Sequence, residues 1–362
     1  MSVKIGLTVM LTIKPVSGNP KTVANYPLFD WLRFALASVV VFGHAGFHAH
    51  ALVNGSLAVD VFFALSGFLI GGILLSSGKG DLPRFFFNRS TRIWIPYVFA
   101  VFILYATALI KEGISVFWLE YLFYDLTFTH QIFTNFPQAL SEMPLGGSGN
   151  QFWSISVEEQ FYLVAPILIL FVPQGQKLWL WICLAALLIL GDRHFAPISL
   201  GVCAAICQRN HQITGRIVIR RAALLSAAAC LGIILWTGSV FVWNDIFAIS
   251  LVIGLARPGK RSIAGEWAGG MSYPLYLNHW VGVFALNAVS KRLFEVDHGV
   301  IIVLQYIVNV VGALALYFLI DRNIQNHRAR WFTPQRGKVL CATAYALVGI
   351  GTIGGLVLLH VR

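Results

Sequence analysis

The chain alternates long apolar runs with short polar punctuation, and most of the runs are too long for buried strands. Breaking them at charge clusters and at Gly or Pro gives eleven stretches near the length that crosses a bilayer as a helix: 29–47, 57–76, 93–111, 155–172, 176–191, 195–208, 217–236, 239–256, 269–289, 299–320 and 338–360. The sixth is short, and the aromatic-rich stretch 115–136 fits either a half-span or an interfacial loop helix. No connection is long enough for a soluble domain. Backbone polar groups in hydrocarbon must be satisfied within a helix or a closed barrel, so the pattern predicts an all-α polytopic membrane protein.

Composition sharpens this reading. Of the 362 residues, 57% are hydrophobic, 14% are aromatic and only 11% are charged, against roughly a quarter charged in a soluble domain. That excludes a water-soluble globule and a disordered chain. The formal charge of +11 would point to nucleic acid in a soluble protein, so the placement of Lys and Arg matters. Threading the chain with its N-terminus in the cytoplasm puts twenty of them on the cytoplasmic side and five outside, with Arg33 alone inside a span. This positive-inside bias predicts N-in, C-out topology and removes the reason to expect a nucleic-acid partner. The stretch 1–26 reads as a short cytoplasmic leader. The five cysteines lie in apolar segments with no CxxC pair and no His at ligand spacing, so they read as packing residues and no metal is expected.

Ionisable side chains inside spans are costly and are therefore functional candidates. In the first span, Arg33 and His44 are eleven residues apart, which places them on one helix face about 16 Å apart along the axis. Arg33 lies toward the cytoplasm and His44 toward the outer leaflet. Asp60 opens the second span, and Glu158 and Glu159 open the fourth, all from the outer side. One imidazole and three carboxyl groups are thus expected to gather in the outer half of the bilayer, an arrangement suited to proton transfer or to an interhelical hydrogen-bond cluster. On the cytoplasmic side, PRFFFNRSTRIWIPY sets Arg89 and Arg92 three residues apart among aromatic residues. Two guanidinium forks there suit phosphate groups, with aromatic faces for a base. A cytosolic ligand with several phosphates and a long thin tail fits, its tail rising toward His44. In the ninth span, GGMSYPLYLNHW puts Tyr273 low and His279 nearer mid-depth, and Pro274 frees carbonyls that commonly line a cavity. Gly67, Gly71 and Gly72 read as sites of close helix packing.

Arg-x10-His, then DVFFALSGFL, RxxR, WSISVEEQFYL and SYPLYLNH follow one another in this order. The set closely resembles the acyltransferase-3 family of integral membrane acyltransferases, from about Pro27 to Asp321. The resemblance implies a ten-helix core over 27–321. The segment 322–362 then forms a basic cytoplasmic loop and an extra C-terminal transmembrane helix. It also implies transfer of an acyl group, usually acetyl from cytosolic acetyl-CoA, to a hydroxyl of a surface or secreted carbohydrate or glycolipid, in a bacterial inner membrane beside proteins of polysaccharide synthesis. Carried over by position, His44 is the catalytic histidine, Arg33 its motif partner, Arg89 and Arg92 the donor-associated pair, and Glu158 the fourth-helix carboxylate. The chain departs from the family where Asp321, Arg322 and Asn323 stand in place of Glu-Arg-Pro.

The expected mechanism places acyl-CoA phosphates on Arg89, Arg92 and Arg33. His44 acts as general base or as a covalent acyl carrier, and Glu158 or Asp60 fixes its tautomer. Trp153, Tyr273 and His279 are expected to contact substrate. The competing class is a proton-coupled transporter or flippase of a glycan or lipid-linked sugar, because such carriers also use intramembrane His, Asp and Glu.

Overall fold

The computed structural model describes residues 25–45, 55–191, 195–238, 241–293 and 298–361, and among them it contains helices and turns but no strand. Its principal helices are α1 (Leu28–His44), α2 (Gly55–Leu75), α3 (Leu82–Glu112), α4 (Val116–Leu126), α5 (Phe152–Phe171), α6 (Leu178–Leu190), α7 (Ala196–His211), α8 (Ile217–Thr237), α9 (Phe241–Leu255), α10 (Ile263–Leu293), α11 (His298–Leu316), α12 (Arg322–Trp331) and α13 (Pro334–Val361). The described part of every predicted span falls on one of these helices, with α4 and α12 as additions. The leader expected over 1–26 lies almost wholly outside the described residues.

Among the described residues six helical stretches are long and apolar enough to cross a membrane, and the protein is integral to one. The shorter apolar helices α6 and α9 pack among them. Side chains such as Phe102, Ile110, Leu190 and Trp236 are 68%, 85%, 85% and 91% exposed. In water such a surface would aggregate; against lipid it is the ordinary outer face of a bundle.

Helix α2 is the axis of the molecule. It packs against α7, α9, α1 and α5, and its buried residues include Val61, Ala64, Ile70 and Leu74. Glycine makes the tightest of these contacts possible. A Cβ on Gly67 would run into the carbonyl of Ile198, and one on Gly201 into the carbonyl of Ala64, so α2 and α7 touch backbone to backbone. Gly71 would meet Val202 and Ala205 at 3.3 Å, whereas Gly72 has open space. Two of the three glycines expected to mediate packing therefore do so.

Helix α3 begins at Leu82, eleven residues before the predicted span. Arg89 and Arg92 accordingly sit on the helix itself. The aromatic stretch after α3 crosses nothing: α4 is eleven residues long and is followed by short turns at His130–Phe133, Ala139–Glu142 and Pro144–Gly147. This layer caps one end of the bundle. Its interior is polar: His130 Nδ1 lies 2.6 Å from Asp125 Oδ1, Tyr105 donates to Asp125 Oδ2 at 2.6 Å, and Tyr97 donates to the Asp125 carbonyl at 3.0 Å.

The end of α11 passes through a π-helical turn, Tyr317–Asp321, into α12. Helix α13 lies against α3, α4 and α5, and Tyr345 donates to the Leu163 carbonyl at 2.8 Å.

Candidate functional site

The predicted cytoplasmic ends of α1, α3, α10 and α11 converge on a cavity of about 510 Å³, within the usual range for small-ligand sites. Along α2 it is lined by Val59, Phe62, Phe63, Leu65, Ser66, Leu69, Ile70 and Ile73. These positions follow helical spacing on one face and extend the cavity by about 21 Å along the axis. One end is cationic, with Arg33, Arg89, Arg92 and Arg261 in its wall; the other is lined by Val59, Phe62, Ser154 and Tyr276.

The cationic end has an internal order. Asp30, almost fully buried, sits between two guanidinium groups, 3.4 Å from Arg33 Nη1 and 2.8 Å from Arg261 Nε. Arg89 lies beside Tyr162. The Tyr162 hydroxyl donates to Glu158 Oε2 at 2.9 Å and lies 3.2 Å from Ser66 Oγ. Glu158 and Tyr162 are one turn apart, so both face the cavity from α5. The charges around Glu158 are those of Arg89, Arg33 and Arg92. Asp321 lines the same space beside Arg92, and its carboxylate Oδ2 has no hydrogen-bond partner among the described residues. Pro274 has no N–H to offer the Gly270 carbonyl, and Gly269 and Gly270 line the cavity at that level.

The far end is aromatic. The Phe62 ring meets Tyr276 edge-on with centroids 6.1 Å apart, and the Tyr276 hydroxyl lies 2.6 Å from Ser154 Oγ. Beyond it, His279 Nδ1 donates to the Tyr276 carbonyl at 2.8 Å, which fixes the tautomer with Nε2 as the unprotonated atom. His44, the last residue of α1, stacks on that ring with centroids 4.8 Å apart and planes 4° apart.

The structure thus brings Arg33, Arg89, Arg92, Glu158 and Tyr273 to one chamber, with Tyr273 donating to the Ile93 carbonyl at 3.2 Å. It pairs His44 with His279 beyond that chamber. It does not gather the imidazole and three carboxyl groups expected in the outer half. Glu158 belongs with the arginines, because α3 carries Arg89 and Arg92 up to its level. Glu159 accepts from Trp94 Nε1 at 3.0 Å. Asp60 faces α9, with Asn244 Nδ2 3.5 Å away and Asp245 nearby. No hydrogen bond joins Glu158 or Asp60 to His44 among the described residues, so neither fixes its tautomer here. Trp153 packs edge-on against Phe63 at 5.8 Å, outside the cavity lining.

Sequence reasoning passed over Asp30, Tyr162 and Arg261. The first two had a signal, standing three residues before Arg33 and four after Glu158 on the same helix faces. Arg261 had none, since only the fold brings its loop to Asp30.

Residues 26–322 match the acyltransferase-3 family, described as an acyltransferase domain. The chain belongs to this family of membrane acyltransferases. It is 30% identical over 158 residues to the O-acetyltransferase OatA of Staphylococcus aureus, covering 40% of this chain and 25% of that one. It is 31% identical over 160 residues to Nodulation protein 10 of Rhizobium leguminosarum bv. viciae, covering 39% of this chain and 43% of the relative. The chain therefore spans between a quarter and less than half of these curated relatives. No solved structure matches.

Proposed function

We propose that this acyltransferase moves an acyl group, acetyl in the first instance, from cytosolic acyl-CoA to a hydroxyl of a carbohydrate or glycolipid at the outer face of a bacterial inner membrane. The N-terminus is cytoplasmic in this reading, and proteins of polysaccharide synthesis are the expected neighbours. The observation that carries it is the shape and charge of the chamber: arginines at one end, then an apolar channel along α2 that points to the His44–His279 pair. Phosphates of CoA fit the guanidinium groups, and the pantetheine arm fits the channel. Arg33 and His44 are separated by about 16 Å on α1, a length that an extended arm spans.

In this reading His44 is the general base. The acceptor oxygen attacks the thioester carbonyl, its proton passes to His44, the carbon–sulfur bond breaks, and the proton is returned to the departing thiolate. His279, locked with its proton toward Tyr276, holds the His44 ring by stacking and presents Nε2 as an acceptor for a substrate hydroxyl.

Titration of the purified protein with acetyl-CoA tests the donor, and transfer to a glycan acceptor tests the base. Arg89→Gln with Arg92→Gln is expected to weaken binding at least about tenfold, the scale of losing charge-assisted hydrogen bonds. His44→Ala is expected to bind acetyl-CoA as before and to transfer nothing. Transfer retained by His44→Ala would sink the assignment of the base, and a wild-type protein that ignores acetyl-CoA would behave as a carrier instead.

A further inference from the structure

We infer that α12, which lies beyond the matched family segment but for its first residue, Arg322, completes the donor site, and that Arg328 on it holds the nucleotide end of the acyl-CoA. This rests on the acyl-CoA reading above and extends it to residues that neither the family match nor the five sequence motifs include.

Helix geometry gives the first reason. Asp321, Gln325 and Arg328 are spaced i, i+4, i+7, so they form one stripe along the π-turn and α12. Asp321 and Gln325 line the chamber. Arg328 follows on the same side, about 10 Å past Asp321 along the axis and away from His44. It is only partly exposed, unlike Arg330 two residues on, which is exposed.

The charges give the second. The guanidinium of Arg328 interacts electrostatically with those of Arg92 and Arg89. None of the three lies within ion-pair distance of a carboxylate among the described residues, whereas Arg33 and Arg261 share Asp30. Three neighbouring cations at a partly buried mouth repel, and among the described residues Glu158 and Asp321 act on Arg89 and Arg92 only from beyond ion-pair distance. A polyanionic ligand would. Since the acyl end points toward His44, the group at Arg328 is the one farthest from the thioester: the phosphorylated adenosine.

The test compares two thioesters that share the acyl-pantetheine arm. Acetyl-CoA carries the 3′-phosphoadenylate, and S-acetyl-4′-phosphopantetheine lacks it. Binding is measured by calorimetry on the full chain in nanodiscs of phosphatidylcholine, which supply no anionic headgroup to compete. The wild type is expected to prefer acetyl-CoA, and Arg328→Gln to lose about tenfold in affinity for acetyl-CoA while its affinity for the shorter thioester stays the same. That unchanged affinity also reports an intact fold. Arg328→Lys should keep most of the preference, and Arg330→Gln all of it. A loss shared equally by both ligands, or no loss at all, overturns the inference. If the wild type binds both thioesters without preference, this inference fails alone; if it binds neither, the acyl-CoA reading fails with it.

Discussion

Asp30 shows how much one carboxylate does at the cationic end. It is 4% exposed and bridges Arg33 to Arg261, tying α1 to the loop before α10. Removing one member of a buried ionic group typically costs about 3–5 kcal/mol, because the partner charges remain without compensation. Arg261 is 47% exposed, so water takes up part of its loss and roughly 2–3 kcal/mol is the better expectation. Asp30→Asn should therefore lower the thermal unfolding midpoint in detergent, and added polyphosphate should restore part of it by supplying the missing negative charge. Recovery by neutral osmolyte but not by the anion would count against an electrostatic origin. The arginines themselves were legible in the sequence, since RxxR and an intramembrane Arg are rare enough to notice. Their sorting was not. Which guanidinium groups are paired depends on the position of Asp30 relative to Arg261, more than two hundred residues away in the chain.

The crossing of α2 and α7 makes a prediction about elements. Gly67→Ala would force a methyl group into the Ile198 carbonyl, and neither backbone can yield without separating the helices. Overpacking of this kind costs about 1–3 kcal/mol or more. The variant should express poorly and unfold early, and chamber binding should fail with it because α2 is the chamber wall. Gly72→Ala, five residues on and facing open space, should be neutral or gain up to about 1 kcal/mol from helix propensity. Equal effects of the two changes, measured by thermal denaturation, would contradict the crossing. Hydrophobic length and punctuation made the helices themselves legible. Helix ends were less so: α3 starts at Leu82 because nothing in RFFFNRSTR breaks a helix, although its charges stop it reading as a membrane span. That extension carries Arg89 and Arg92 to the level of Glu158 and undoes the expected outer cluster.

Over the whole molecule, residues assigned to one side by charge counting meet at one end of the bundle. Lys79 lies over the Phe171 ring, and Arg209 donates to Gln176 at 2.8 Å. At the opposite end Lys111 lies over Phe284, 4.2 Å from the ring centre. With the N-terminus cytoplasmic, a cysteine at Arg330 in a cysteine-free background should resist membrane-impermeant maleimide in intact cells and react after lysis, and one at Gly113 should react in both. The reverse pattern would invert the proposed orientation.

A protein that takes its donor from one compartment and serves an acceptor in another carries a hazard for the cell that hosts it. A continuous wet passage would drain the proton gradient. The Phe62–Tyr276 contact lies where such a passage would have to run, between the arginine chamber and the two stacked histidines. In the proposed reading its consequence is electrical: the ring contact narrows that passage until an acyl arm displaces it, and then the arm itself fills the gap. Phe62→Ala should accordingly raise proton conductance in reconstituted vesicles, and saturating CoA should suppress the leak.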